Sequence, residues 1–281
     1  MIPVHKLSQL SPGQRRRKLA LLLAQAEREL LAAGSGTGGR TADSDPEYVR
    51  VLSLLAAEDP KVEPAAADKL KALARDALPA DGDGAEALLR LCDVARHAVL
   101  AAIGTFPAEW DLIHRPVSDS TAASPVRRFF PGVAVYAEDI RSPFNLGSVF
   151  RTAEAFGAER VMVSPLCVPP EHPRARRSAM GCMDYLPWER VSLGEIPEDA
   201  PVFALETGGT PIEEFDFPER GVVIIGSEEL GVSPEALARA TYGRVSIPMH
   251  GIKASLNVGV AFGVLMQAWT AYLSCSASKP F

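Results

Sequence analysis

The chain has 281 residues, of which 47% are hydrophobic and 23% charged, and a formal net charge of −6. Those proportions exclude a disordered or fibrous chain and fit one large globular domain or two modest ones. The acidic balance excludes a broadly basic nucleic-acid wrapper, and four scattered cysteines without a Cys-x-x-Cys pair argue against a disulfide framework and a zinc site. No charged-then-apolar-then-small pattern follows Met1, so no signal peptide is expected, and the cysteine usage predicts a reducing, cytoplasmic setting. The net charge sits in the second half: residues 130–281 hold 12 Lys and Arg against 18 Asp and Glu, while residues 1–129 hold 17 of each.

In chain order, Ser11 and Pro12 read as the N-cap and first residue of a helix with Leu19, Leu22, Leu23, Ala26 and Leu30 at helical spacing. Residues 34–45 read as a glycine-rich loop. Further helices are predicted over 48–57, 65–78 (Leu70, Leu73, Leu78 inward) and 84–103 (Leu88, Leu91, Val99 inward). No strand-like alternation occurs, so residues 1–104 are expected to form a small all-helical domain. Its basic run, Arg15 to Lys18, is either a solvated helix face or a phosphate-contacting patch. Residues 105–131 are a proline-rich connector with Trp110 as a packed anchor.

From residue 132 the rhythm becomes strand, loop, helix. Residues 132–138 form a buried-type strand, followed by a helix with Asn145 as N-cap and Gly157 as its C′ stop. Val149, Phe150, Ala153 and Phe156 make its apolar face, and Gly147 and Arg151 lie together opposite. Arg151 is either a surface arginine or a guanidinium presented beside a gap that a substrate or a neighbouring backbone fills. Strands are expected over 160–164, 183–188, 201–206, 221–225 and 245–247, with 168–180 irregular. Glu206 to Gly209 carries turn chemistry, Ser233 and Pro234 start a helix, and Ser255 sits as N-cap of an apolar helix. That helix passes for a membrane span only weakly, because Asn257, Gln267 and Thr270 interrupt it. Apolar on all sides, it predicts burial all round, and Gly259 and Gly263, four apart, permit close approach of a helix from a second copy.

Alternating strands and helices predict an α/β fold with a mainly parallel sheet, whose ligands sit outside the carboxyl ends of strands. Three loops converge there by rule: those after Glu206, at 226–231 and at 248–254. None matches Gly-x-Gly-x-x-Gly or a P-loop. Glycines, backbone donors and apolar side chains suit an uncharged heterocycle such as adenine.

Three segments together resemble the SpoU (TrmH-type) branch of the SPOUT RNA methyltransferases: NLGSVFRTA (145–153), IIGSEELG (224–231), and IPM (247–249) with SLNVGVA (255–261). The resemblance spans about residues 132–273; the helical half carries no motif of its own. It implies an S-adenosyl-L-methionine-dependent 2′-O-ribose methyltransferase acting on structured RNA (tRNA or rRNA). The implied fold is α/β, a parallel-sheet SPOUT fold with a C-terminal trefoil knot, preceded by the helical domain. Domains are expected at 1–104 (a possible substrate-RNA binding extension), 105–131 (linker) and 132–281 (methyltransferase). By matching position, Gly226, Gly231, Ile247, Met249, Ser255 and Leu256 line the cofactor pocket, with Glu206 and Thr207 nearby. Arg151, Asn145, Glu228, Ser255 and Asn257 are the implied catalytic set, and Arg174, Arg176 and Arg177 face RNA. A homodimer through the 255–273 helix is implied; no metal and no membrane are. A base methyltransferase on the same fold, or a non-catalytic RNA-binding factor retaining it, are the alternatives.

Overall fold

The computed structural model of the chain describes residues 2–34, 44–76, 84–108, 127–253 and 255–277. They belong to two compact units, Met1–Pro125 and Val126–Phe281. Leu78, Trp110 and nearly all of the glycine-rich loop lie outside the described residues.

The first unit is helical: α1 (Val4–Ser8), α2 (Pro12–Gly34), α3 (Pro46–Ala57), α4 (Pro64–Asp76) and α5 (Gly84–Ile103). α1 is too short for periodicity to reveal. α3 starts two residues earlier than its apolar pattern suggests, because the Asp45 carboxylate accepts from Tyr48 N (3.0 Å) and Pro46 fixes the first turn. Leu19, Leu23, Leu52, Leu70, Leu88 and Leu91 fill the core. The basic run is neither a uniform solvated face nor a continuous patch. Arg16 is buried and directs Nε and Nη2 to Asp59 Oδ1 (3.0 and 2.8 Å). Arg96 and Glu27 form a second buried pair at 2.6 Å.

Among its described residues the second unit holds six strands, β1 (Val133–Ala137), β2 (Arg160–Val163), β3 (Trp188–Arg190), β4 (Val202–Pro211), β5 (Gly221–Ile225) and β6 (Gly243–Ser246), all parallel, in the order β3-β2-β1-β5-β4-β6. Both faces are covered, so β1 and β5 read as unbroken apolar runs. Val133, Val135, Phe203 and Val223 pack under α6 (Pro143–Ala155), α7 (Pro173–Ala179) and α9 (Val258–Ala277); Ala134, Tyr136, Ala204 and Ile224 pack with α8 (Pro234–Arg239).

Several local expectations are corrected. Residues 173–179 are helical, started by Pro173 and by the His172 ring accepting from Arg174 N (3.2 Å); proline-rich composition concealed this short helix. β3 lies at 188–190, and 182–184 is a 3-10 turn. β4 does not end at Glu206: it bulges between Leu205 and Thr210, with Gly208 at φ +71°, and resumes beside β6. Ser142, not Asn145, caps α6, since Pro143 takes the first helical position and leaves Asn145 in the first turn. Asn257, not Ser255, caps α9, its Oδ1 accepting from Gly259 N (3.0 Å) and Val260 N (3.3 Å).

α9 is long and apolar enough, over Val258–Cys275, to cross a membrane by length and composition. Here it lies against the sheet. Trp269 is fully buried, edge-on to Phe203 at 4.9 Å, and donates to Pro218 O (2.7 Å). A Cβ on Gly259 would meet Ser148 Oγ at 2.7 Å, and one on Gly263 would meet Thr152 Cγ2 at 3.9 Å. The helix these glycines approach is therefore α6 of the same chain. Burial is not all round: Val260, Val264 and Tyr272 stay exposed.

Candidate active site

A cavity of about 490 Å³ opens at the carboxyl ends of β4, β5 and β6. Leu205, Glu206 and Thr207 come from β4, residues 225–231 from β5 and its loop, Ile247 and Met249 from the segment after β6, and residues 255–258 with Ala261 from the start of α9. The structure thus brings Glu206, Thr207, Gly226, Gly231, Ile247, Met249, Ser255 and Leu256 to one wall.

The 226–231 loop is shaped by contacts that only glycine permits. Ser227 and Gly231 exchange backbone hydrogen bonds (3.1 and 2.9 Å), closing a tight turn, and Gly231 sits at φ +69°. A Cβ on Gly226 would lie 2.0 Å from Gly231 C, and one on Gly231 would lie 2.3 Å from Glu206 Oε2. Glu206 is itself anchored: Oε2 accepts from Val232 N (3.0 Å), and Oε1 from Thr207 N (2.7 Å) and Oγ1 (3.0 Å).

Glu228 is the hub of the cavity rim. Its carboxylate accepts from Arg141 N (3.1 Å), Ser142 N (3.0 Å) and Asn145 Nδ2 (2.8 Å). Partial burial raises its pKa, but these donors outweigh it and hold the carboxyl below the ordinary value of 4.5. Asn257 Nδ2 in turn donates to Asn145 Oδ1 (2.9 Å) while its Oδ1 caps α9. The chain Asn257–Asn145–Glu228 fixes the Asn145 amide from both ends.

Arg151 stands elsewhere on α6. Six residues past Asn145, it is about 9 Å further along the axis and about 120° round it. It shares the α7 face with Gly147, whose Cβ would meet Ala175 O at 2.4 Å, so a neighbouring backbone fills the gap beside it. Its charge is felt by Cys182, where burial nonetheless dominates and raises the thiol pKa. On α7, Arg176 pairs with Asp184 (3.0 Å), Arg177 Nε donates to Pro173 O (3.3 Å), and Arg174 lies over the Phe144 ring at 5.9 Å.

Sequence reasoning missed the two backbone N–H groups of Arg141 and Ser142, which carry no side-chain signal. It also missed Glu138. The sheet's order reverses between β1 and β5, where a parallel sheet usually opens a crevice. Glu138, buried just beyond β1, fills that place, accepting from Ser233 N (2.8 Å) and Oγ (2.7 Å) at the start of α8. The cavity lies instead over β5, β4 and β6.

Residues 132–267 match a family model described as the SpoU rRNA Methylase family. Over 146 residues the chain is 34% identical to an uncharacterized tRNA/rRNA methyltransferase of Synechocystis sp., covering 48% of this chain and 53% of the other. Over 166 residues it is 34% identical to a 23S rRNA (uridine(2479)-2′-O)-methyltransferase of Streptomyces viridochromogenes, covering 54% and 56%. A crystal structure of the SpoU methyltransferase AviRb from the same Streptomyces species overlaps 51% of this chain and 60% of that one, at 28% identity and a TM-score of 0.48. The chain spans about half the length of the curated relatives it matches.

Proposed function

We propose that the chain, whose residues 132–267 match the SpoU rRNA Methylase family, is a member of it and methylates a ribose 2′-hydroxyl of structured RNA, rRNA or tRNA, from S-adenosyl-L-methionine. The observation that carries this reading is the make-up of the cavity. Glu206, Glu228 and Glu229 line it, with no Lys, Arg or His among the described lining residues. Glu229 is paired with the exposed Arg141 at 3.4 Å, and the acidic wall left by Glu206 and Glu228 suits an uncharged adenine joined to a cationic sulfonium. S-adenosyl-L-methionine, when bound, supplies an already activated methyl group.

The chain's own residues then position the acceptor. Ile247, Met249 and Leu256 would hold the adenine, and the anchored Glu206 would offer its remaining lone pairs to the cofactor's ribose hydroxyls. Asn145, held by Glu228 and Asn257, orients the RNA ribose, with Ser255 on the same rim. Arg151 does not line this chain's cavity, and it is assigned the developing alkoxide at the site of a second copy in the homodimer; a guanidinium stays protonated and is a poor base, so a phosphate or solvent takes the proton. An Arg151→Lys enzyme with full turnover removes that role. Arg174, Arg176 and Arg177 are assigned to the RNA-facing side, with Arg177 on a phosphate; the charge of Arg176 is already paired with Asp184.

The reading extends to a homodimer through residues 255–273, supported by exposed Val260, Val264 and Tyr272; sedimentation as a monomer at micromolar concentration removes it. It extends to a trefoil knot in the C-terminal segment, which a crystallographic chain trace would test, and to a cytoplasmic setting, consistent with four free cysteines and testable by fractionation. The helical domain at 1–104, linked through 105–131, is assigned substrate-RNA contact through a cavity of about 480 Å³ that carries Arg75 beside Arg50, paired with Glu47, and Lys71, paired with Asp68. An unchanged salt slope of RNA binding in the triple alanine variant excludes that surface.

The deciding experiment is tritium-methyl transfer to total tRNA and rRNA, followed by mapping of 2′-O-methyl positions. S-adenosyl-homocysteine binding without transfer to either RNA sinks the activity, and no binding sinks the cofactor assignment.

A further inference from the structure

Phe144 and Arg174 form an exposed pair that the methyl-transfer chemistry leaves unused. Phe144 immediately precedes Asn145, so its backbone lies about 4 Å from the residue that Glu228 and Asn257 hold at the cavity rim. Phe144 keeps 36% of its residue surface exposed. α7 is fastened against it by Ser178 Oγ, which donates to Phe144 O (2.9 Å). Arg174 is four residues before Ser178, on the same side of α7, and this registration places its guanidinium over the ring at 5.9 Å from the centroid. Arg177, three residues on, shares that side. Among the described residues no carboxylate comes within 4.0 Å of either guanidinium, whereas Arg176 is paired with Asp184.

We propose that Phe144 and Arg174 are a stacking clamp for one unpaired nucleobase, next to the nucleotide whose ribose reaches Asn145, and that Arg177 holds the adjoining phosphate. The inference rests on the RNA-methylation reading and narrows its substrate to a loop, bulge or strand end. The guanidinium at 5.9 Å already covers the ring, so a splayed base enters as the flexible Arg174 side chain moves outward and closes over it, while bases inside an A-form duplex present only their edges. An uncompensated cation three residues away suits the phosphate that follows such a base.

The test uses the full chain with S-adenosyl-homocysteine and two RNA hairpins of equal length, one with 2-aminopurine unpaired in the loop, the other with it paired in the stem. Binding of the wild type is expected to quench the loop probe and leave the stem probe unchanged. Phe144→Leu should abolish the quenching and weaken binding about 5- to 100-fold, with rescue by Phe144→Trp. Arg177→Ala should lower the salt slope by about 1 without affecting the quench. Quenching by Phe144→Leu equal to that of the wild type, or equal binding and quenching of the stem probe, overturns the clamp. Calorimetry with S-adenosyl-homocysteine separates the two readings. A chain that binds it but quenches neither hairpin loses the clamp and keeps the cofactor pocket. A chain that quenches the loop probe without binding it keeps the clamp and loses methyl transfer.

Discussion

Glu27 in the helical unit and Glu228 in the sheet unit are each held by side chains or backbone from another element, yet their pKa values move in opposite directions. Glu27 is buried against Arg96, Nε to Oε2 at 2.6 Å. Burial is the larger influence and raises its pKa, and the guanidinium only partly offsets it. Glu228 faces three N–H donors at a solvent-reached rim, and those donors prevail over its partial burial. A carboxylate tied to one cation in a dry core is a structural fastening. One gripped by backbone N–H groups beside a cavity keeps its charge and its position for a ligand.

The comparison is most severely tested at Glu27. Glu27→Ala leaves Arg96, whose side chain is 6% exposed, with the half-exposed Asp93 at 3.9 Å as its counter-charge, and should cost about 3 kcal/mol in urea unfolding of the helical unit. The double variant Glu27→Met with Arg96→Met should recover most of that loss, because the pair's attraction only balances its desolvation. A single variant costing less than about 1 kcal/mol would show that the core is wetter than its packing implies.

The next largest effect belongs to the sheet unit and is read in binding. Gly226→Ala places a methyl 2.0 Å from Gly231 C and 2.2 Å from Val232 N, atoms that cannot rotate away. The 226–231 turn must open. S-adenosyl-homocysteine affinity should fall at least about tenfold, roughly 1.4 kcal/mol, with unfolding of the helical unit unchanged. Retained affinity in calorimetry would mean that this wall does not bind the cofactor.

These two sites also show what can be read from a sequence. Residues 221–225 and 132–138 read as strands because a parallel sheet covered on both faces needs continuous apolar runs. The three converging loops were legible from the rule that ligands sit outside the carboxyl ends of parallel strands, and the individual cavity residues only through the resemblance of their segments to the SpoU family. The buried ion pairs were not, since Arg16 meets Asp59 43 residues away and Arg96 meets Glu27 69 residues away. Glu138 and Ser233, 95 residues apart, are hidden for the same reason. The helix caps failed more locally. Ser142 and Asn145 both suit a cap, as do Ser255 and Asn257, and only the position of Pro143 or the Asn257 geometry decides between them. α7 escaped because seven residues give too few turns for a period to stand out.

Glu228→Gln is expected to have a smaller, more selective effect. The amide keeps the shape but loses the charge, and one of its two former oxygens becomes a donor facing Arg141 N, Ser142 N or Asn145 Nδ2. Asn145 loses its fixed orientation. Methyl transfer should drop about tenfold in kcat, with S-adenosyl-homocysteine affinity within about twofold. An equal loss in both would make Glu228 a cofactor ligand instead of a positioning residue.

The smallest expected effect is a difference in slope with pH, and it tests the opposition directly. The folded pKa of Glu228 lies below 4.5, so its contribution to stability is present above that value and is lost as pH falls through the folded pKa. The folded pKa of Glu27 lies above 4.5, so its contribution is present below 4.5 and is lost as pH rises through the folded pKa. Asp59 in the same unit also has a lowered pKa, burial opposing the donors from Arg16 and Lys61, so whole-protein curves would mix the signs. Subtracting the Glu27→Gln and Glu228→Gln curves from the wild type, measured by urea unfolding from pH 7 to pH 3, isolates each group. The wild-type advantage should grow toward acid in the Glu27 difference and shrink toward acid in the Glu228 difference. Two difference curves of the same sign would mean that a guanidinium in the core and N–H donors at the rim act on a carboxylate alike, and the contrast between the two units would fail.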